Sequence, residues 1–193
     1  MPEYYELLAK GQRENNYVIR EYDTGRELLP YFQDACSGCR RVELFKVVHQ
    51  LGVPEQQRVR VRKGTDFFDT SDGFTGVSTS LREFVETNNI SGLSFIPMPN
   101  DPFYLVEPTC CFDVDFSKGE FHFGRTCDVC NRPREVAGRL RQNAIPKEIN
   151  SHAFVSPIGL GRIPDYRLYI PRDLAELLKK ERFKGLEFRE VPE

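Results

Sequence analysis

Four of the six cysteines fall into two pairs of identical spacing, Cys36-Ser-Gly-Cys39 and Cys127-Asp-Val-Cys130. Two intervening residues let a tight turn aim both thiolates at one tetrahedral ion, and two such turns supply four sulfurs. That closed, soft ligand set favours a structural zinc, which has no electronic preference against a tetrahedron. The pairs are 127 − 39 = 88 positions apart, so a shared ion requires the fold to bring distant segments together. Two other readings compete with zinc. One is a set of unpaired thiols that happen to share this spacing. The other is a redox pair, which normally opens a helix whose N-terminus lowers one thiol's pKa. Arg40-Arg41-Val42 and Asn131-Arg132-Pro133 make poor first turns of a helix, which places the redox reading behind zinc.

The remaining chemistry-bearing residues are weaker candidates. Cys110 and Cys111 are adjacent in the strand-like run Tyr104 to Phe116. Neighbours on a strand point to opposite faces, so these two do not chelate together, and at least one reads as a small buried hydrophobe. A turn at Lys118-Gly119 would place Val114 opposite Phe123, Phe116 opposite Phe121 and Asp115 opposite His122. The last pair reads as a solvated ion pair before a proton relay. Arg58-Val-Arg60-Val-Arg62-Lys63 alternates like a strand with a basic face, and Arg132, Arg134, Arg139 and Arg141 form a second basic cluster. Both could meet phosphate. However, the formal charge is −2 and no reading helix or stacking motif accompanies them, so a solvated face is the better reading. His49, His122 and His152 lie in no nucleophile or zinc-hydrolase motif, and Gly159-Leu-Gly161 lacks the third glycine of a nucleotide loop. Nothing argues for an enzyme.

The elements that must position the cysteines come from an internal repeat. Residues 77–95, from Val77 to Phe95, align without gaps to residues 170–188, from Ile170 to Phe188, an offset of 170 − 77 = 93. In each copy apolar residues recur at i, i+3 and i+4, as Leu81, Phe84, Val85 and as Leu174, Leu177, Leu178, which gives one buried stripe on a short helix. Ser80 with Glu83, and Asp173 with Glu176, have capping-box spacing. Gly92 or Gly185 then permits a turn into Leu-x-Phe, an alternation typical of a half-buried strand. Strands over Thr75 to Val77 and Arg167 to Ile170 precede the helices. The cysteine pairs follow the same duplication, since 127 − 36 = 91 and 130 − 39 = 91. Halves packed about a pseudo-twofold axis would let equivalent knuckles face one another and share an ion.

The expected fold is therefore α+β in one domain spanning 1–193. It comprises two pseudo-repeats, about 31–100 and 122–193, each of mixed β-sheet with one principal amphipathic helix. A pair of zinc knuckles with four cysteine ligands joins them, and an N-terminal hairpin runs over 3–23, from Tyr4 to Tyr22. An apolar content of 39% with 29% charged residues is that of an ordinary folded chain rather than a disordered one. The first residues lack a basic region followed by an apolar one, and no apolar run approaches the ~20 residues of a membrane span. The expectation is a cytoplasmic protein that binds no membrane and keeps its thiols reduced.

The two Cys-x-x-Cys knuckles, Asp66-Phe67-Phe68 ahead of Gly73-Phe74-Thr75-Gly76-Val77-Ser78, the amphipathic helix and the recurring Gly-Leu-x-Phe together carry a family resemblance. Over residues 36–193 the chain resembles the double-CxxCG-motif immunity proteins of bacterial polymorphic and contact-dependent toxin systems. The resemblance implies an antitoxin that binds a cognate protein toxin stoichiometrically and without chemistry, with Cys36, Cys39, Cys127 and Cys130 as the carried-over ligands of a structural zinc. In that family a glycine follows each pair. Here Arg40 and Asn131 stand in those places, and Asn tolerates a left-handed turn more readily than Arg. A zinc-containing nucleic-acid-binding module and a thiol redox protein are the alternatives from other functional classes.

Overall fold

The computed structural model describes residues 3–10, 18, 20–21, 26–27, 35–39, 43–55, 59–112, 115–133, 136–146, 149, 151–156 and 167–193. In chain order the strands are β1 (Tyr4–Ala9), β2 (Arg20–Glu21), β3 (Arg26–Glu27), β4 (Phe67–Asp69), β5 (Thr75–Ser78), β6 (Leu93–Pro97), β7 (Phe103–Pro108), β8 (Glu120–Phe123), β9 (Val136–Arg139), β10 (Phe154–Ser156), β11 (Arg167–Pro171) and β12 (Leu186–Glu190). The helices are α1 (Leu44–Leu51), α2 (Thr79–Thr87) and α3 (Arg172–Glu181). The fold is α+β.

Two four-stranded sheets dominate, ordered β4-β5-β7-β6 and β10-β11-β1-β12. Every ladder among the described residues is antiparallel, where mixed sheets were expected. The reason lies in the strand that separates the two ends of each helical crossover. In the first half β5 and β6, linked through α2, both pair with β7; in the second, β11 and β12, linked through α3, both pair with β1. The outer two strands of each trio run the same way without touching.

The two sheets share one register. Ser78 faces Phe103 in the first, and Pro171, at 78 + 93, faces Tyr4 in the second. Phe95 faces Val106, and Phe188, at 95 + 93, faces Leu7. The N-terminal strand thus fills in the second half the slot that β7 fills in the first. This corrects both the expected boundaries and the expected hairpin. The first half extends through Pro108, and the second is completed by residues 4–9. β1 has both edges occupied by β11 and β12, so it has none left for Arg20–Glu21, which pair instead with Arg26–Glu27. The rest of the expected 3–23 hairpin lies largely outside the described residues.

One apolar cluster unites the halves. It takes Phe67, Val77, Leu81, Val85 and Val106 from the first half and Leu7, Leu168, Ile170, Leu174 and Leu178 from the second. The helical stripes read from the sequence face this cluster, with Leu81, Val85, Leu174 and Leu178 buried and Phe84 and Leu177 partly so, and Phe84 meets Phe183 edge-on at a ring separation of 5.2 Å. A second cluster covers the outer face of the first sheet, where Phe68, Phe74 and Leu105 pack with Val47 and Val48 of α1. That helix did not enter the sequence expectation, although Leu44, Val47, Val48 and Leu51 have its periodicity. A third cluster, with Phe112, Leu140, Ile145 and Tyr169, covers the outer face of the second sheet.

Contacts across the halves are reciprocal. Ala153 N donates to Ser91 O at 3.0 Å, and Phe67 N donates to Lys184 O, at 91 + 93, at 3.1 Å. Ser91 N donates to His152 Nδ1 at 3.2 Å, and Lys184 N donates to Asp66 Oδ2 at 2.8 Å. Reciprocal contacts of this kind define a pseudo-twofold axis, the relation an isologous dimer would have, here within one chain.

Candidate metal centre

Each cysteine pair sits on a tight turn. In the second, Cys127 N donates to Arg132 O at 2.9 Å and Asn131 N donates back to Cys127 O at 2.9 Å, with Thr126 bridging Pro133 beneath. Closing this loop puts Asn131 at φ 57, the left-handed conformation that the residue after the second cysteine must adopt and that Asn accepts at low cost. Arg40, its counterpart, lies outside the described residues. The first pair occupies a turn over residues 37–39.

The pseudo-twofold axis brings the two turns face to face. Cys36 Sγ lies 3.8 Å from Cys127 Sγ, and Cys39 Sγ lies 3.6 Å from Cys130 Sγ. All four sulfurs lie within 4.8 Å of one another. Each short contact joins residues 91 apart in sequence, so equivalent atoms meet across the axis. Metal–sulfur bonds of about 2.3 Å in a tetrahedron would place sulfurs about 3.8 Å apart. The four cysteines are free thiols rather than disulfides, and together they can hold a metal ion.

Local backbone prepares them for it. The N–H of Cys130, then that of Val129, point at the Cys127 sulfur and hold its thiol well below the ordinary value, at about 6. The N–H groups of Cys39 and Gly38 lower Cys36 in the same way. A thiolate is the metal-binding form, so these amides favour that form at Cys127 and Cys36. Cys127 is fully buried, while the other three are half-buried.

Two contacts at the centre were not visible as site features in the sequence. Gly38 and Val129 occupy equivalent places in the two knuckles, since 38 + 91 = 129. A Cβ on Gly38 would lie 2.8 Å from Val129 Cγ2 and 3.0 Å from Cys127 Sγ. One knuckle tip must therefore be bare for the other to carry a side chain. Glu43 and Arg132, which flank the two knuckles, form an ion pair at 2.9 Å. Only the near-equal offsets of knuckle and helix pointed to such contacts.

The other candidates resolve differently. Cys110 is half-buried against the third cluster and Cys111 is exposed, and neither joins the four-sulfur group. Of the expected hairpin about Lys118-Gly119, Val114 lies outside the described residues, and the pairs Phe116 with Phe121 and Asp115 with His122 are not formed. Phe116–Lys118 is a 3-10 turn whose N-terminus is capped by Asp115, which accepts from Ser117 N at 3.1 Å and pairs with Lys118 at 3.4 Å. β8 then pairs with β9, and His122 faces Ala137. Within the Arg58–Lys63 segment, Val59 is buried and Arg60 and Arg62 are exposed as the alternation implied, but residues 59–62 join no ladder. The N–H of Val59 is taken by Asp101 Oδ2 at 3.1 Å. Arg58, Arg134 and the Gly159–Gly161 stretch lie outside the described residues. In the second basic cluster Arg132 is matched by Glu43 and Arg141 by Glu120. His49 pairs with Glu107 at 2.6 Å. His152 Nδ1 meets Ser91 Oγ at 3.0 Å in the seam between the halves. No described helix is long and apolar enough to cross a membrane.

No family model matches the chain, and no curated protein matches it.

Proposed function

We propose that this chain is an immunity protein: a zinc-stapled binding protein of the cytoplasm that neutralises a cognate bacterial protein toxin by stoichiometric binding. The observation that carries the reading is the convergence of Cys36, Cys39, Cys127 and Cys130 from two knuckles of a duplicated chain, the feature on which the resemblance to double-CxxCG immunity proteins rests. Zinc is the ion of choice for four thiolates at tetrahedral separations. Four protein ligands fill the tetrahedron and leave no position for water or substrate, so the ion holds the halves in register and does no chemistry. Function then resides in the surface that the staple organises, which is the logic of an antitoxin that occludes an active site or a required face of its target.

The test pairs the chain with the protein encoded beside its gene. A large secreted product with a toxic C-terminal domain, lethal when expressed alone and harmless when co-expressed, is the expected partner, and it should form a one-to-one complex on gel filtration. A neighbouring domain that stays toxic despite co-expression and forms no complex would refute the immunity reading. Binding to arbitrary DNA or RNA that falls steeply with salt and is lost in Arg60→Glu/Arg62→Glu would establish the nucleic-acid module in its place. Metal analysis should return one zinc per chain. Reversible thiol–disulfide cycling of one knuckle without bound metal would instead establish the redox protein.

A further inference from the structure

The outer faces of the two sheets are both covered by apolar clusters but differ in chemistry at three equivalent positions. In the first sheet the central strand contributes Leu105, fully buried beside Phe68 and Phe74, with Ile96 packed against that cluster. In the second, the equivalent positions carry Glu6 for Leu105, Arg167 for Phe74 (74 + 93) and Arg189 for Ile96 (96 + 93). Glu6 is 5% exposed. It lies directly opposite Arg189 on β12 and Tyr169 on β11. Its carboxylate reaches Arg189 Nη1 at 3.5 Å and Arg167 Nε at 3.7 Å, and Arg167 also donates to Gly138 O at 2.7 Å. Each arginine comes from a different neighbouring strand, so one carboxylate ties β1 on both sides.

A buried ion pair is a poor source of stability, since a well-packed apolar group, such as the first sheet carries at the equivalent place, does as well or better. What differs between the two sheets is how the central strand is delivered. β7 follows β6 through residues 98–102, and so short a hairpin fixes its register. β1 enters between β11 and β12 with no turn to either. Its inward residues Tyr5, Leu7 and Ala9 are all apolar. A slip of two residues, with Leu7 opposite Ile170 and Leu8 opposite Tyr169, keeps every apolar face apolar. Hydrophobic pattern therefore excludes a slip of one but not a slip of two. The slip of two would carry Glu6 away from both arginines and leave Arg167, whose side chain is 14% exposed, without its carboxylate.

We infer that Glu6, Arg167 and Arg189 form a register lock that selects the pairing of the inserted N-terminal strand. It does the work that the β6–β7 turn does in the other half. Single buried polar residues set register in helical assemblies by the same penalty on misaligned states.

The test is the full-length chain with the lock replaced by the residues of the other half, Glu6→Leu/Arg167→Phe/Arg189→Ile. Solution NMR of labelled protein reads the register through cross-strand contacts. The wild type should show Tyr5 against Ile170 and Leu7 against Phe188 alone. The triple variant should stay folded but show a second set of β1 signals with Leu7 against Ile170. A single set with native pairing in the folded variant would overturn the inference. Should the variant fail to fold, Glu6→Gln keeps the shape and removes the charge. Its Tyr5 and Leu7 amides should then exchange with solvent at least tenfold faster than in the wild type, with Leu105 and Val106 unchanged. Equal rates in variant and wild type would overturn it.

Discussion

Gly92 lies with its α-carbon so close to the carbonyl oxygen of Ala153 that a Cβ there would overlap it, and Gly185 stands in the same relation to Phe67 O. Their φ values are 97° and 95°, so both positions require glycine for conformation and for space. This reciprocal contact is a close backbone approach in the seam between the halves. Gly92→Ala and Gly185→Ala should each destabilise the protein by about 2–4 kcal/mol, summing left-handed strain and overpacking. Gly52, at φ 76° with open space around it, isolates the strain alone. Gly52→Ala should cost about 1 kcal/mol. Urea denaturation of the three variants checks the order, and a Gly52→Ala cost equal to the others would deny the seam its special role.

Ser78, rather than Ser80, caps α2. Its hydroxyl accepts from Leu81 N at 3.2 Å and donates to Asp66 Oδ1 at 2.8 Å, whereas Ser80 is exposed within the first turn. Ser78→Ala should cost about 1–2 kcal/mol, while Ser80→Ala should change stability by less than about 0.5 kcal/mol. Thermal denaturation distinguishes the two. The expected capping box at Ser80 and Glu83 failed because β5 runs into α2 without a loop, which moves the cap two residues upstream. In α3 the cap position is Pro171, which has no side-chain hydrogen bond to offer. Asp173 lies in the first turn, and Glu176 turns to Lys179 instead of reaching back.

These misses separate what neighbouring residues determine from what distant ones do. The strand–helix–turn–strand units and the knuckle pairs were legible because spacing of 3.6, spacing of 2 and Cys-x-x-Cys are all local signals, and the repeat then related them. The place of β1 was not legible. Its apolar alternation fits a hairpin as well as an inserted strand, and the choice is made by an open slot more than 160 residues away. Similarly, Asp115 takes Ser117 as a partner two residues on, a short-range bond that outweighs the expected pairing with His122.

The metal centre should respond to pH with a definite sign. In the unfolded chain a thiol titrates near 8.5, whereas the amides of Cys130 and Val129 hold Cys127 at about 6. A depressed folded value contributes stability in full above the unfolded pKa and loses it as pH falls through the folded one. Bound zinc stabilises the thiolate further, so release of the ion to a chromophoric chelator should begin only below about pH 6. Release that is already half complete at pH 7.5 would contradict this account of the ligand amides.

Bulk at the two knuckle tips should be tolerated unequally. Gly38→Val adds carbon into Val129 and toward the Cys127 sulfur, and should weaken zinc binding at least tenfold, about 1.4 kcal/mol. Val129→Gly, on a residue that is 63% exposed, removes no ligand and should leave affinity within about threefold. The double variant Gly38→Val/Val129→Gly moves the side chain to the other tip and should recover most of the loss, because the tips are equivalent across the axis. Competition against a calibrated zinc chelator measures all three, and no recovery in the double variant would show that the knuckles are not interchangeable.

The inserted position of β1 makes the order of the chain dispensable. Val191 N donates to Tyr4 O at 3.1 Å, so the start of β1 and the end of β12 meet at one end of the second sheet. A circular permutant that begins at residue 31 and carries residues 1–30 behind Glu193 through a short flexible linker turns β12 and β1 into a hairpin, as β6 and β7 already are. Pairing partners, clusters and the four sulfurs are all retained. The permutant should fold, bind one zinc and melt within about ten degrees of the parent, since closing a short loop in place of a long one changes chain entropy by only about 2 kcal/mol. It should also fold faster, because the central strand of the second sheet no longer has to return across most of the sequence. A permutant that binds no zinc or unfolds tens of degrees lower would mean that the early position of β1 in the chain, and not merely its place in the sheet, is needed for the fold.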